Sequence, residues 1–223
     1  MSERRSVGGP AGALECVLDA PAAGVPPRGI AVLCHPHPLH GGTMDNKVIV
    51  TLARTFVQLG YGAVRFNFRG VGASAGHWDE GRGEVDDALA VIADVTAEAA
   101  ADAAAAGAPP HAVLPLVLAG FSFGGYVATQ AAARLAAQDP AAGKGPRSAR
   151  LVLVAPAAGR FTLAPVPPGT LVVHGEADDV VPLAAVLEWA RPQSLPITLV
   201  PGAGHFFHGQ LTVLKQIVSA ALR

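Results

Sequence analysis

The chain has 223 residues, 51% of them hydrophobic and 15% charged, with 16 basic and 17 acidic side chains for a net charge of -1. At 22.5 kDa and a mean hydropathy of +0.38, it is long enough to bury one substantial core and too apolar to stay disordered. The charge balance lacks the basic surplus of a nucleic-acid binder, and Gly, Pro or charge interrupts every apolar stretch short of the roughly 18 residues that span a membrane.

Met1 to Pro10 is a polar lead-in with two arginines and no apolar run, so no secretory leader is expected. Ala13 to Leu18 reads as a short strand, Ala20 to Arg28 as a Pro/Gly-rich turn, and Ile30 to Cys34 as an apolar strand. The irregular segment His35-Pro-His-Pro-Leu-His-Gly-Gly42 follows. Lys47 to Leu59 has helical periodicity through Val48, Leu52, Phe56 and Leu59, and Gly60 closes it. Ala63 to Phe68 is the next strand and Arg69 to Gly83 a glycine-rich loop. Glu84 to Ala106 is an alanine-rich helix whose early acids (Glu84, Asp86, Asp87) suit the positive end of the helix dipole, and its acid stripe is expected to face solvent. Gly107 to Pro110 stops it.

Then come a strand (Leu114 to Ala119), a helix (Phe123 to Gln138), a loop at Pro140 to Pro146 and a strand (Arg150 to Ala155). The chain closes with strands at Leu171 to Val173 and Ile197 to Val200 and helices at Leu183 to Ala190 and Gln210 to Leu222. Strands that are continuous apolar runs alternating with helices predict an α/β fold: a mostly parallel sheet covered on both faces, in one domain over residues 1–223. Cys16 and Cys34 lie in strand-like runs and are expected as buried free thiols of a cytoplasmic protein.

The sharpest motif is Gly120-Phe-Ser-Phe-Gly-Gly125, a G-x-S-x-G at a strand-to-helix handover. Such a turn lifts a serine clear of the sheet and sets helix N–H groups beneath it, where an oxyanion can be stabilised. A serine nucleophile needs a base, and the base an orienting carboxylate. After the strand Leu171 to Val173 comes His174-Gly-Glu-Ala-Asp-Asp179, which crowds Glu176, Asp178 and Asp179 at a strand end; after the next strand comes Gly204-His-Phe-Phe-His208. Ser122, an acid and His205 thus fall in chain order on successive strand ends, where open α/β sheets place catalytic groups. Asp178 is the preferred acid, His208 the runner-up base, and His174 a structural hydrogen-bonding residue.

The stretches CHPHPLHGGTMDNKV, FNFRGVGASAG, GFSFGG and HGEADDVVP…GAGHFF resemble the α/β-hydrolase superfamily over nearly the whole chain, within a small bacterial, esterase-like branch related to dienelactone hydrolases. Dienelactone hydrolases use a cysteine nucleophile where this chain has Ser122, so their chemistry does not carry over. The resemblance implies the α/β-hydrolase fold, with Ser122, Asp178 and His205 as a catalytic triad. Only Pro156 to Gly169 stands where the family inserts a lid, which implies a lidless form without a cap domain. It implies an oxyanion hole built from the Phe123 N–H and one donor from the loop after an early strand. That donor is His37, Leu39 or His40, since Pro36 and Pro38 have no N–H, and His37 matches the family's position.

The expected activity is hydrolysis of a small, short-acyl carboxylic ester through an acyl-enzyme. The alternatives are another acyl transfer or perhydrolysis on the same residues, or a non-catalytic binding protein of this fold. A small-molecule ester is the expected partner, with neither nucleic acid nor membrane, in a monomer or small homo-oligomer without cofactor. Candidate pocket residues are Leu39, His40, Phe123, Phe161 and Phe206. His35, His37, His40 and Asp45 lack metal-ligand spacing, and Gly70 to Ala75 matches G-x-G-x-x-A without the helix a dinucleotide site needs. Arg69 and Ser74 read as groups that shape their loop.

Overall fold

Consecutive residues of the central strands are all buried because the sheet has a core on each face. The computed structural model describes residues 2–21, 25, 27–107, 114–138 and 150–223. Its strands are β1 (Ser2–Gly9), β2 (Gly12–Asp19), β3 (Ile30–Cys34), β4 (Gly62–Phe66), β5 (Leu116–Phe121), β6 (Arg150–Val154), β7 (Leu171–Gly175) and β8 (Ile197–Val200). They form one sheet in the order β1-β2-β4-β3-β5-β6-β7-β8. β1 and β4 flank β2 antiparallel, and every other pairing is parallel.

Side chains alternate between the faces as the pleat requires. Ile30, Val32, Leu116, Leu118, Leu151 and Leu153 enter the core beneath α2 (Arg82–Ala105), α3 (Phe123–Gln138) and α4 (Leu183–Ala190). Ala31, Leu33, Val117, Ala119, Val152 and Val154 enter the core beneath α1 (Lys47–Gln58) and α5 (Leu211–Leu222). The Asn46 side chain accepts from Val48 N–H at 2.9 Å and starts α1 on the predicted face, with Val48, Leu52 and Phe56 buried. No helix stands between β6 and β7, so the fold has no cap there.

Three expectations change. The polar lead-in is strand β1, paired along its length with β2. It is an edge strand with charged residues, with Val7 alone of its apolar side chains in the core and ion pairs along the rest: Arg4 to Glu15 at 2.8 Å, and Arg5 to Glu98 and Asp94 of α2. Second, the front of α2 is not a solvated face. Val85, Ala88, Val91, Ile92 and Val95 enter the core, and Glu84 and Asp87 are buried as well. Glu84 caps the helix by accepting from Gly81 N–H at 2.8 Å and Asp79 N–H at 2.9 Å, while Asp87 takes the Arg69 guanidinium at 2.7 Å. These acids serve particular donors, which a dipole argument does not distinguish. Third, His208, the runner-up base, stands in an exposed turn before α5, and it is His205 that reaches the Ser122 hydroxyl. The stops at 108–110 and the loop at 140–146 lie outside the described residues, as does part of the Ala20 to Arg28 turn. Cys16 and Cys34 are buried and unpaired with each other.

Candidate active site

β5 ends at Phe121 and α3 begins at Phe123, which leaves Ser122 alone to make the turn. It does so at φ +55°, a left-handed conformation that costs a residue with a Cβ. The flanking glycines are sterically required. A Cβ on Gly120 would lie 2.1 Å from Gly124 O, and one on Gly124 would lie 1.9 Å from Cys34 O. Two bonds hold the bend: Ser122 N–H donates to Val154 O at 2.9 Å, and Ala157 N–H donates to Ser122 O at 3.1 Å.

From β7 and β8 two side chains converge on that turn. His205 Nε2 lies 3.0 Å from Ser122 Oγ, and its Nδ1 lies 2.8 Å from Asp178 Oδ2. An ionised carboxylate only accepts, so Nδ1 is the donor and Nε2 keeps the lone pair that faces the serine hydroxyl. Asp178 Oδ1 accepts from Val180 N–H at 2.9 Å and Val181 N–H at 2.7 Å. Burial alone would raise the Asp178 carboxyl; the bonds from His205, Val181 and Val180 outweigh it and leave the pKa below the ordinary value. His174 Nε2 donates to Val181 O at 3.0 Å and lies 3.7 Å from Asp178 Oδ2, so it braces the acid's loop. Of the competing acids, Glu176 accepts from Gly202 N–H at 2.9 Å and Asp179 is exposed.

The segment after β3 folds into a tight turn. Gly42 N–H donates to His37 O at 3.0 Å and His40 N–H to the same oxygen at 3.1 Å, while Leu39 N–H donates to His37 Nδ1 at 3.2 Å. Among the hydrogen bonds of the described residues, His37 N–H has no acceptor, nor has Phe123 N–H at the first position of α3. Leu39 is a correction: its N–H is already donated, the residue is 67% exposed, and it is not among the residues that line the cavity.

His35, weighed as a metal ligand, is a buried staple. Its Nδ1 donates to Pro36 O at 2.6 Å and its Nε2 accepts from Phe68 N–H at 3.1 Å, and burial pushes its pKa down to about 3. Asn67 Oδ1 accepts from Met44 N–H at 2.9 Å, and Arg65 reaches Met44 O at 3.1 Å and Asp45 at 2.8 Å. The loop is thereby pinned to the end of β4 at both ends. Arg69 and Ser74 shape their loop, Arg69 through Asp87 and Ser74 by donating to Asn67 O at 2.7 Å.

A cavity of about 350 Å³ opens above Ser122. Of the predicted lining residues it includes His40, Phe123, Phe161 and Phe206. Val180, Val181, Ala157, Asn46 and Arg160 also line it and were missed. Arg160 carried a signal, being the lone charge in the Pro156 to Gly169 connection. The apolar residues carried none, since nothing in their pattern distinguishes a wall of this cavity from core.

A serine bent out at a strand-to-helix turn, on a mostly parallel sheet covered on both faces, makes this chain an α/β serine hydrolase. A family model described as serine aminopeptidase, S33, matches residues 26–167, and the chain belongs to that family. The match includes Ser122 and stops before Asp178 and His205. An uncharacterized protein of Rickettsia prowazekii is 31% identical over 82% of this chain and 73% of its own length. A Xanthomonas campestris structure, described as an α/β serine hydrolase without lid, is 38% identical with a TM-score of 0.82, covering 100% of this chain and 94% of that one. A Coxiella burnetii α/β serine hydrolase homologue is 37% identical with a TM-score of 0.78, covering 99% and 97%. No helix among the described residues is long and apolar enough to cross a membrane.

Proposed function

We propose that the chain is a single-domain, cytoplasmic carboxylesterase acting on small esters through Ser122, His205 and Asp178. The observation that carries the reading is the hydrogen-bonded series from Ser122 Oγ to His205 to Asp178, at 3.0 and 2.8 Å. Ser122 Oγ attacks the acyl carbon as His205 Nε2 takes its proton, and Asp178 stabilises the imidazolium. The N–H groups of Phe123 and His37 receive the negative charge that develops on the carbonyl oxygen. The tetrahedral intermediate collapses as His205 returns the proton to the departing alkoxide. Water then attacks the acyl-enzyme by the same route, releasing the acid and restoring Ser122.

The family's description names an aminopeptidase, an activity that requires recognition of a substrate ammonium. Among the described residues no Asp or Glu lines the cavity, and the one formally charged side chain there is Arg160, of the wrong sign for that ligand. This favours an ester over a free peptide N-terminus. The experiment is fluorophosphonate labelling alongside hydrolysis of p-nitrophenyl acetate. The expected result is labelling at Ser122 and, in Ser122→Ala, loss of both the label and roughly four to six decades of kcat. A variant that keeps a tenth of its activity overturns the assignment of the nucleophile.

A further inference from the structure

Arginines drawn into the body of this protein have carboxylates of their own: Arg5 with Asp94 and Glu98, Arg65 with Asp19 and Asp45, and Arg69 with Asp87. Arg160 lines the cavity above Ser122 and has no hydrogen bond or ion pair among the described residues. Glu188 shares a neighbouring cleft with it, and no ion pair joins them.

The backbone that carries Arg160 is fixed relative to the nucleophile. Ala157 N–H donates to Ser122 O at 3.1 Å, and Phe161 N–H closes the turn onto Ala157 O at 3.1 Å. The Phe161 ring packs against Tyr126 at 4.9 Å and Phe123 at 5.1 Å. Burial first, then the charges of His40 and Arg160, hold His37 below its ordinary pKa. An unpaired, solvent-exposed cation thus stands on a fixed stretch of backbone at the wall of the cavity that holds Ser122, and no carboxylate lines that cavity among the described residues.

We propose that Arg160 determines specificity: the substrate carries a carboxylate beyond the scissile ester, and the Arg160 guanidinium binds that carboxylate while Ser122 attacks. The proposal rests on the esterase reading above and names the substrate class for the same site. Two parallel N–H donors on a planar fork match a carboxylate and its single charge, whereas one guanidinium would leave a phosphate dianion half compensated.

The test compares isosteric charged and neutral esters. One pair puts the charge on the acyl side: p-nitrophenyl hydrogen glutarate against p-nitrophenyl 4-carbamoylbutanoate. The other puts it on the alcohol side: O-acetyl 4-hydroxybutanoate against O-acetyl 4-hydroxybutanamide. For the wild type, kcat/KM should favour the carboxylate member of at least one pair by about fivefold to tenfold, a moderate ratio because Arg160 is exposed to solvent. The ratio should fall to about one in Arg160→Gln and recover in part in Arg160→Lys. In wild type it should shrink in 1 M NaCl, where the screening length is about 3 Å. Glutarate should also slow fluorophosphonate labelling of wild type more than of Arg160→Gln, a reading that needs no turnover. A ratio of one for both pairs in wild type, or a preference that survives in Arg160→Gln, overturns the role of Arg160. If no ester is hydrolysed and Ser122 takes no label, the esterase reading itself fails.

Discussion

Replacing Asp178 by asparagine removes a charge without changing the shape of the side chain, and the surrounding donors dictate how the amide must sit. Oδ1 accepts from two backbone N–H groups, those of Val180 and Val181, and Oδ2 faces His205 Nδ1. Turning the amide NH2 toward the two backbone donors would leave both without an acceptor, at about 1–3 kcal/mol each. The carbonyl is therefore held on that side by about 2 kcal/mol or more, a preference of roughly thirtyfold. The NH2 then meets Nδ1, which must become an acceptor. The ring proton moves to Nε2 and points at Ser122 Oγ, so the base is lost although nothing has moved. The same exchange in an unrelated Ser-His-Asp enzyme lowers kcat about 10⁴-fold, and three to four decades are expected here. The assay is kcat/KM for p-nitrophenyl acetate, with Asp179→Asn and Glu176→Gln as companions. Asp179 is exposed, and glutamine at 176 retains an oxygen for Gly202 N–H, so each should lose less than about threefold. A loss under tenfold for Asp178→Asn, or an equal loss for Asp179→Asn, refutes the argument.

Acyl-length preference follows from a cavity of about 350 Å³ with no cap over it. Each buried CH2 contributes about 0.8 kcal/mol only while the cavity still covers it, so kcat/KM should peak at short acyl chains, without activation at an oil–water interface. A preference for chains of about twelve carbons would show instead that a loop closes over the site. Stability should fall on mild acidification: burial drives His35 to about 3 and holds His174 below its ordinary value, so both refuse protons that the unfolded chain accepts. Their contribution is complete above the unfolded pKa of about 6.5 and is lost below it at up to about 1.4 kcal/mol per pH unit for each. Asp178, whose folded pKa is also depressed, adds a further loss below about pH 4. Urea midpoints at pH 7 and pH 5 check this, and equal midpoints would contradict neutral histidines at those positions.

The central strands and the residues at their carboxyl ends were legible in the sequence for one physical reason. A strand buried on both faces has few polar positions, so Ile30 to Cys34 and the Leu114 to Ala119 run stand out, and the motifs after them gain meaning from their place. The helix α1 face was equally plain. Strand β1 was not, because an edge strand stabilised by Arg4 and Arg5 has no apolar signature. The buried acids of α2 were hidden likewise: the sequence shows Asp87 as a charge on a helix, and only the fold brings Arg69 to it. Within the site, the three side chains that the structure brings together, Ser122, His205 and Asp178, were readable by type and order. The choice among the His37, Leu39 and His40 N–H groups was not, because it depends on which of them the turn has already used.

Strain gathers at the same place as the chemistry. Five non-glycine residues among those described have positive φ, and Ser122 (+55°), Ala155 (+42°) and Phe207 (+53°) frame the site. Ser122 makes the elbow. Ala155 redirects the chain out of β6 toward Ala157, whose N–H bonds Ser122 O, and Phe207, fully buried, anchors the turn that presents His205. A left-handed conformation costs a residue with a Cβ about 1–2 kcal/mol and costs glycine almost nothing. Ser122→Ala keeps that strain, whereas Ser122→Gly releases it, and both lose the hydroxyl equally. The glycine variant gives back part of the gain through its freer unfolded chain. The net expectation is that Ser122→Gly is more stable than Ser122→Ala by about 1 kcal/mol, or a Tm about 2–4 °C higher for a chain of this length. Thermal melts of the two inactive variants decide it. If the alanine form melts at the same temperature or higher, the bend at residue 122 is not strained, and the two cores spend no stability in holding the nucleophile up.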